Sequence, residues 1–202
     1  MRLPADQRRQ QLLDVAREVF AGTGFHETSM DDIAEAAGVT KPVLYQHFPS
    51  KRALYLELLT DTGRQLLDSL ATATHRVPTG RERVEAGFRA YFRFVLDSRA
   101  GFRLLFGAAV RTDSEFAAIV DGVVRAAADV ISELIEIPAS TEHRRVLASA
   151  LVGMAESVGR SATDNVERAD EVTDPERLAS WIAELAWFGL RGVRSEEPSQ
   201  LP

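Results

Sequence analysis

The chain has 202 residues, 45% of them hydrophobic, with 24 lysines and arginines against 30 aspartates and glutamates and no cysteine. That is ample material for one large or two small folded domains, and it excludes disulfides, thiolate metal sites and cysteine nucleophiles. The net charge of −6 excludes broad, unspecific attraction to a polyanion, and apolar runs of a few residues fall short of the roughly 18 that span a bilayer.

The charge is unevenly placed. Residues 1–52 hold seven basic and seven acidic side chains and net zero; the remaining 150 hold 17 and 23, which is the whole −6. Both lysines of the chain, Lys41 and Lys51, lie in the neutral front. The N-terminal MRLPADQRRQQ lacks the apolar region of a signal peptide, so a cytoplasmic protein without membrane contact is expected.

Along the chain the pattern is helical. Leu12, Val15, Ala16, Val19 and Phe20 recur at the spacing of one buried helix face, and Gly22 and Gly24 stop that helix. Ser29 and Asp32 form a capping-box pair ahead of MDDIAEAA, which Gly38 ends. Thr40 caps a third, short helix, Lys41 to Phe48, with Pro42 in its first turn; after Pro49, Ser50 caps a longer helix through Leu54, Leu58, Leu66 and Leu70. Helices at 81–98, 101–110, 114–137 and 142–167 follow, with Thr79 and Glu82, Thr112 and Glu115, and Ser140 or Thr141 as caps, and Asp174-Pro175-Glu176 opens the last. The fold class is all-α, with about nine helices. The division expected is 1–52 as a three-helix domain, 53–195 as a larger helical domain, and 196–202 as a frayed tail.

The helices at 30–37 and 41–48 meet at the tight Gly38-Val39-Thr40 turn, the spacing of a helix-turn-helix. Ala34, Ala37 and Val39 suit the buried junction, and Ile33, Leu44 and Phe48 anchor it. The N-terminal turn of the second helix then offers Thr40, Lys41, Pro42 and Val43 to base edges in a major groove: lysine to guanine acceptors, proline and valine to thymine methyls. Tyr45, His47, Ser50, Lys51 and Ser29 are the expected phosphate donors. A helix pair of this size also occurs in proteins that never touch DNA, so a purely protein-binding helical adaptor stands as the alternative.

The run QLLDVAREVFAGTGFHETSMDDIAEAAGVTKPVLYQHFPSKRALYLELL, residues 10–59, resembles the N-terminal DNA-binding domain of TetR-family transcription regulators. The resemblance implies that Thr40, Lys41, Pro42 and Val43 form the base-reading turn, that Tyr45, His47 and Lys51 touch phosphates, and that the chain binds double-stranded operator DNA as a homodimer. It further implies that the C-terminal helices sense a small molecule, whose binding most often releases DNA, as in a repressor.

Beyond residue 80, six of the ten phenylalanines, at 88, 92, 94, 102, 106 and 116, lie within 29 residues together with Tyr91. In RVEAGFRAYFRFVLD the polar positions Glu82, Glu85, Arg89, Arg93 and Asp97 form one stripe, with Glu85–Arg89 and Arg93–Asp97 spaced to pair. The rest of that helix is apolar, as in the centre of a bundle. Phe88, Tyr91, Phe92, Phe102, Phe106, Phe116 and Met154 are the candidate lining of an apolar effector cavity; each phenylalanine alone reads equally as core. RLPADQRRQQLL, GVTKPVLYQHF, FRLLF, LVGM and AWFGL are similar to actinobacterial TetR regulators of fatty-acid synthesis that respond to long-chain acyl-coenzyme A. An acyl-CoA or fatty-acid effector follows from that resemblance, with Arg89, Arg93 or Arg103 either holding its head group or pairing with nearby carboxylates, and activation of lipid genes as well as repression.

Leu147, Leu151, Met154 and Val158 on one helix, and Trp181, Leu185 and Phe188 on the last, form apolar stripes suited to an isologous four-helix dimer interface; Leu147, Leu151, Trp181, Leu185 and Phe188 are its candidates. Such a dimer places its recognition helices about 34–36 Å apart on a palindromic site. No H-E-x-x-H, G-x-S-x-G or P-loop motif occurs and the four histidines are scattered, so no enzyme, metal site or cofactor is expected. Glu156 has Arg160 four residues on, an ion pair rather than a catalytic acid.

Overall fold

The structure is a computed structural model and describes residues 4–167 and 174–192; the expected tail at 196–202 lies outside the described residues. Among these residues there are ten helices and no strand. They are α1 (Ala5–Thr23), α2 (Met30–Ala36), α3 (Lys41–His47), α4 (Lys51–Thr74), α5 (Gly80–Asp97), α6 (Arg99–Phe106), α7 (Ala108–Thr112), α8 (Ser114–Leu134), α9 (Thr141–Glu167) and α10 (Pro175–Arg191).

The helix beyond the expected nine arises at Gly107, where the backbone is extended at φ −77° and ψ −179° and divides the anticipated 101–110 helix into α6 and α7. A Cβ there would stand 2.3 Å from the carbonyl oxygen of Arg103, so only glycine fits this break. Two expected caps also differ. Thr40 precedes α3 without a side-chain capping bond. Asp113, not Thr112, caps α8: its carboxylate accepts from the backbone N–H groups of Glu115 and Phe116 at 3.0 and 3.3 Å, whereas the Thr112 hydroxyl bonds back to Ala108 and Ala109.

The chain folds as two compact units. The first joins Met1–Gln65 with Ser98–Gly122, and the second joins Leu66–Asp97 with Val123–Pro202. The first unit buries Leu12, Leu13, Ala16 and Phe20 of α1 against Ile33, Leu44, Phe48, Leu54, Leu58 and Leu59, and α6 packs on α1. Each such leucine or phenylalanine contributes about 1.5–3 kcal/mol when fully buried.

The local chemistry of the α2–α3 junction follows the sequence closely. Ser29 and Asp32 exchange both bonds of a capping box, at 3.1 and 2.8 Å. The turn closes with Val39 N–H donating to Ala34 and Gly38 N–H donating to Glu35, both at 3.0 Å. That is a Schellman pair, and it needs Gly38 at φ +63°, a conformation only glycine adopts without strain.

In the second unit α5 buries Phe88, Tyr91, Phe92, Phe94 and Val95 and packs chiefly on α10, then on α9. The buried positions of α10 are Ala179, Ala183 and Ala186, whose small side chains let helix axes approach. Trp187 turns to another face, against Gly80 at the start of α5.

Candidate nucleic-acid interface and effector site

Within the first unit, Leu44 and Phe48 are fully buried and hold α3 from beneath. The Arg9 guanidinium lies 4.3 Å from the Phe48 ring, pairs with Glu57 at 2.5 Å and donates to the His47 carbonyl, so the C-terminal end of α3 is fastened. The opposite end is free for contact: Thr40, Lys41 and Pro42 are exposed and Val43 is half-buried. Tyr45 is exposed one turn on, and His47 is half-buried. Gln46, exposed on the same helix, was not singled out from the sequence. Its amide suits adenine, but one exposed glutamine carries no periodic signal.

Lys41 donates to Asp31 of α2 at 2.9 Å, and this bond is the first cause of its raised pKa. The pair is exposed and competes with any nucleic-acid acceptor. Ser29 and Ser50 are both engaged as caps, Ser50 accepting from Ala53 N–H at 3.0 Å, yet each hydroxyl hydrogen is left to donate elsewhere. Asp32 beside Ser29 sits below its ordinary pKa because it accepts the Ser29 backbone N–H.

Lys51 is engaged within the chain. Its ammonium donates to the carbonyls of Phe25, His26 and Thr28 at 2.7, 3.1 and 2.7 Å and lies 4.7 Å from the Phe25 ring. An ammonium has three hydrogens. All three are used in fixing the α1–α2 loop to the start of α4, so Lys51 has a structural task beside the phosphate contact expected of it.

The next residue does work that the sequence did not suggest. Arg52 grips Asp113 with two bonds of 2.7 and 3.0 Å and Glu115 with two of 2.8 and 2.5 Å, and its guanidinium lies 4.8 Å from the Phe116 ring. Asp113 is thereby held down at about 2, with the Arg52 hydrogen bonds as the largest cause. Phe116, expected in the effector lining, is a core residue of the first unit. It is fully buried in the first unit, 5.0 Å from the Phe25 ring and 4.7 Å from Tyr55, in a cluster that reaches Phe20. Burial pushes the Tyr55 hydroxyl up to about 12.

Phe102 and Phe106, with ring centres 4.9 Å apart on α6, belong to the first unit too. Phe88, Tyr91, Phe92 and Met154 belong to the second. There Phe88 stacks on Phe92 at 6.3 Å and Tyr91 meets Phe92 edge-on at 5.4 Å, while Met154 is half-buried on α9. Of the arginines considered for a head group, Arg89 and Arg93 converge on Glu176 at 2.7 and 2.6 Å. Arg89 also pairs with Glu85 as expected; Arg93 turns to Glu176 instead of Asp97. Arg103 donates to the Ala21 carbonyl at 3.4 Å. Glu156 and Arg160 pair as expected. A cleft of about 310 Å³ between α1 and α4 carries the charged residues Asp6, Arg9, Glu57, Asp61 and Arg64 in its lining and includes none of the expected effector residues.

On α10 Trp181, Leu185 and Phe188 are 56%, 61% and 61% exposed, and Val146 of α9 is 62% exposed. These are large apolar side chains left mostly exposed among the described residues, although the Arg177 guanidinium lies 4.9 Å from the Trp181 ring. Leu151 is buried and Leu147 half-buried, so those two serve the chain's own packing. No helix among the described residues is long and apolar enough to cross a membrane.

Two family profiles match this arrangement: bacterial regulatory proteins of the tetR family over residues 12–58, and the tetracyclin repressor-like C-terminal domain over residues 80–189. The chain is 37% identical over 194 residues to the HTH-type transcriptional activator FasR of Mycolicibacterium smegmatis, covering 95% of this chain and 87% of that protein. It is also 37% identical over 94 residues to the HTH-type transcriptional repressor KstR2 of Rhodococcus jostii, covering 41% of this chain and 46% of that protein. A crystal structure of a TetR-like transcriptional regulator from Rhodococcus sp. RHA1 superposes with a TM-score of 0.78 at 31% identity, covering 95% of this chain and all of that one. With a helix-turn-helix whose tip is exposed and whose anchors are buried, and with profiles matching at both ends, the chain belongs to the TetR family of DNA-binding transcription regulators.

Proposed function

We propose that the chain acts as a homodimer that reads a palindromic operator with the tip of each α3 and loosens its hold on DNA when an apolar effector enters the second unit. The observation that carries the reading is the exposure of Thr40, Lys41, Pro42 and Tyr45 on a helix whose inner face, Leu44 and Phe48, is fully buried. Thr40, Lys41, Pro42 and Val43 meet base edges, while Tyr45, His47, Ser29 and Ser50 meet phosphates. A net charge of −6 leaves little non-specific attraction, so this small surface must supply most of the discrimination.

Pairing through Trp181, Leu185, Phe188 and Val146 covers the apolar side chains left exposed on α9 and α10. For the effector, Phe88, Tyr91, Phe92 and Met154 support a long apolar molecule, and similarity to the FasR activator over 95% of the chain favours an acyl-CoA or fatty acid. The same similarity favours activation over repression, since the match to the KstR2 repressor spans only 41% of the chain.

The test is gel-shift binding to the DNA upstream of the protein's own gene against scrambled DNA at matched salt, with and without hexadecanoyl-CoA. Specific binding weakened by the acyl-CoA is the expected result. Specific binding that no acyl compound alters removes the effector assignment, and absence of any sequence preference returns the chain to the adaptor reading.

A further inference from the structure

Tyr91 stands among phenylalanines on α5 and is only 8% exposed, yet its hydroxyl has no hydrogen-bond partner among the described residues. Packing does not need that oxygen. Phe88, Phe92 and Phe94 fill the same helix without one. The facing helix also makes allowance for it: a Cβ on Gly159 of α9 would lie 3.1 Å from the Tyr91 hydroxyl and 3.3 Å from its ring. Glycine inside a helix is unfavourable, and here it leaves room for the Tyr91 ring and hydroxyl together with Val95, whose methyl would lie 3.3 Å from the same Cβ.

Glu156, about one turn before Gly159 on α9, and Arg160, next to it, are close enough for their charges to act on the hydroxyl, but they are already paired with each other. The locus is therefore polar without a spare charge. Burial, together with the Glu156 carboxylate, holds the hydroxyl protonated, so what it offers is a hydrogen to a neutral acceptor.

We infer that the Tyr91 hydroxyl is a recognition point of the effector site, donating to a carbonyl oxygen carried on an otherwise apolar chain. This rests on the effector reading above and narrows it to a class: an acyl thioester, ester or amide, in preference to a plain alkyl chain or a free carboxylate. A carboxylate would need a cation at this point, and Arg160 is bound to Glu156.

The experiment compares two probes on the full-length protein bound to its operator: hexadecanoyl-CoA, and S-hexadecyl-CoA, the thioether that lacks the carbonyl. Wild type should release DNA at a hexadecanoyl-CoA concentration roughly 3- to 10-fold lower than that of the thioether, the worth of one hydrogen bond. Tyr91→Phe should raise the thioester midpoint by that factor, leave the thioether midpoint in place, and keep both the melting temperature and probe-free operator affinity at or above wild type. The inference is overturned if wild type treats the two probes alike, or if Tyr91→Phe shifts both midpoints equally or neither. If neither probe releases wild type, the acyl effector reading itself fails and takes the inference with it. Release by hexadecanoyl-CoA with no effect of Tyr91→Phe leaves that reading intact and removes the role of Tyr91 alone.

Discussion

Lys41 and Lys51 are the two lysines of the chain, ten residues apart, and the fold gives them opposite tasks. Lys41 is exposed and held by one carboxylate; Lys51 is tied to three carbonyls across the α1–α2 loop. Lys41→Ala should therefore leave the melting temperature unchanged while weakening operator binding by at least roughly fivefold, the low end for loss of a base contact. Lys51→Met should do the reverse in order of cause: a lowered melt first, with DNA binding lost only as far as α2 loses its seat. Thermal melts paired with operator titrations separate the two, and a Lys51→Met protein that melts normally but fails to bind DNA would restore Lys51 to the phosphate contacts. Motif position assigned Lys41 to bases and Lys51 to phosphates, but the carbonyls that Lys51 meets lie 23 to 26 residues away, beyond what a local motif shows.

At the scale of elements, the Arg52 grip joins the first turn of α4 to the first turn of α8. Phe116, beneath that guanidinium, is fully buried, and Phe116→Ala should cost about 3–5 kcal/mol of stability, measurable by denaturant unfolding. Asp113 adds a pH signature. Its folded-state pKa is depressed to about 2, so its contribution is complete above the unfolded value near 4 and is lost as pH falls from about 4 to 2. Asp113→Asn should lower the melting temperature at pH 7, and the gap from wild type should close across that window; a gap that persists unchanged at pH 2 would show that Asp113 acts by capping α8 alone. Gly107→Ala belongs here as well, since its Cβ would collide with the Arg103 carbonyl and force α6 and α7 apart.

For the whole molecule the decisive surface is the apolar stripe of α10. Leu185→Glu places a charge at the centre of the proposed dimer face, and sedimentation should then report a monomer that folds normally but binds a palindromic operator far more weakly than wild type, with half-site binding retained. A variant that stays dimeric would move the interface elsewhere. The α10 stripe was legible as an apolar pattern, and among the described residues Trp181, Leu185 and Phe188 are its exposed members. The α9 stripe read the same way, yet Leu151 turned out to be buried.

The sequence alone determined what depends on near neighbours along the chain: helices from their apolar period, the Ser29–Asp32 capping box, the Gly38 turn and the exposed tip of α3. Each of these is decided within a turn or two of backbone, where residue type and spacing are sufficient. Only the tertiary structure decided the long-range partners. Lys51 meets Thr28 23 residues away, Arg52 meets Glu115 at 63 and Arg89 meets Glu176 at 87. With 30 carboxylates and every backbone carbonyl available to those cations, chemistry limits the kind of partner, and the packing of helices selects which one is reached.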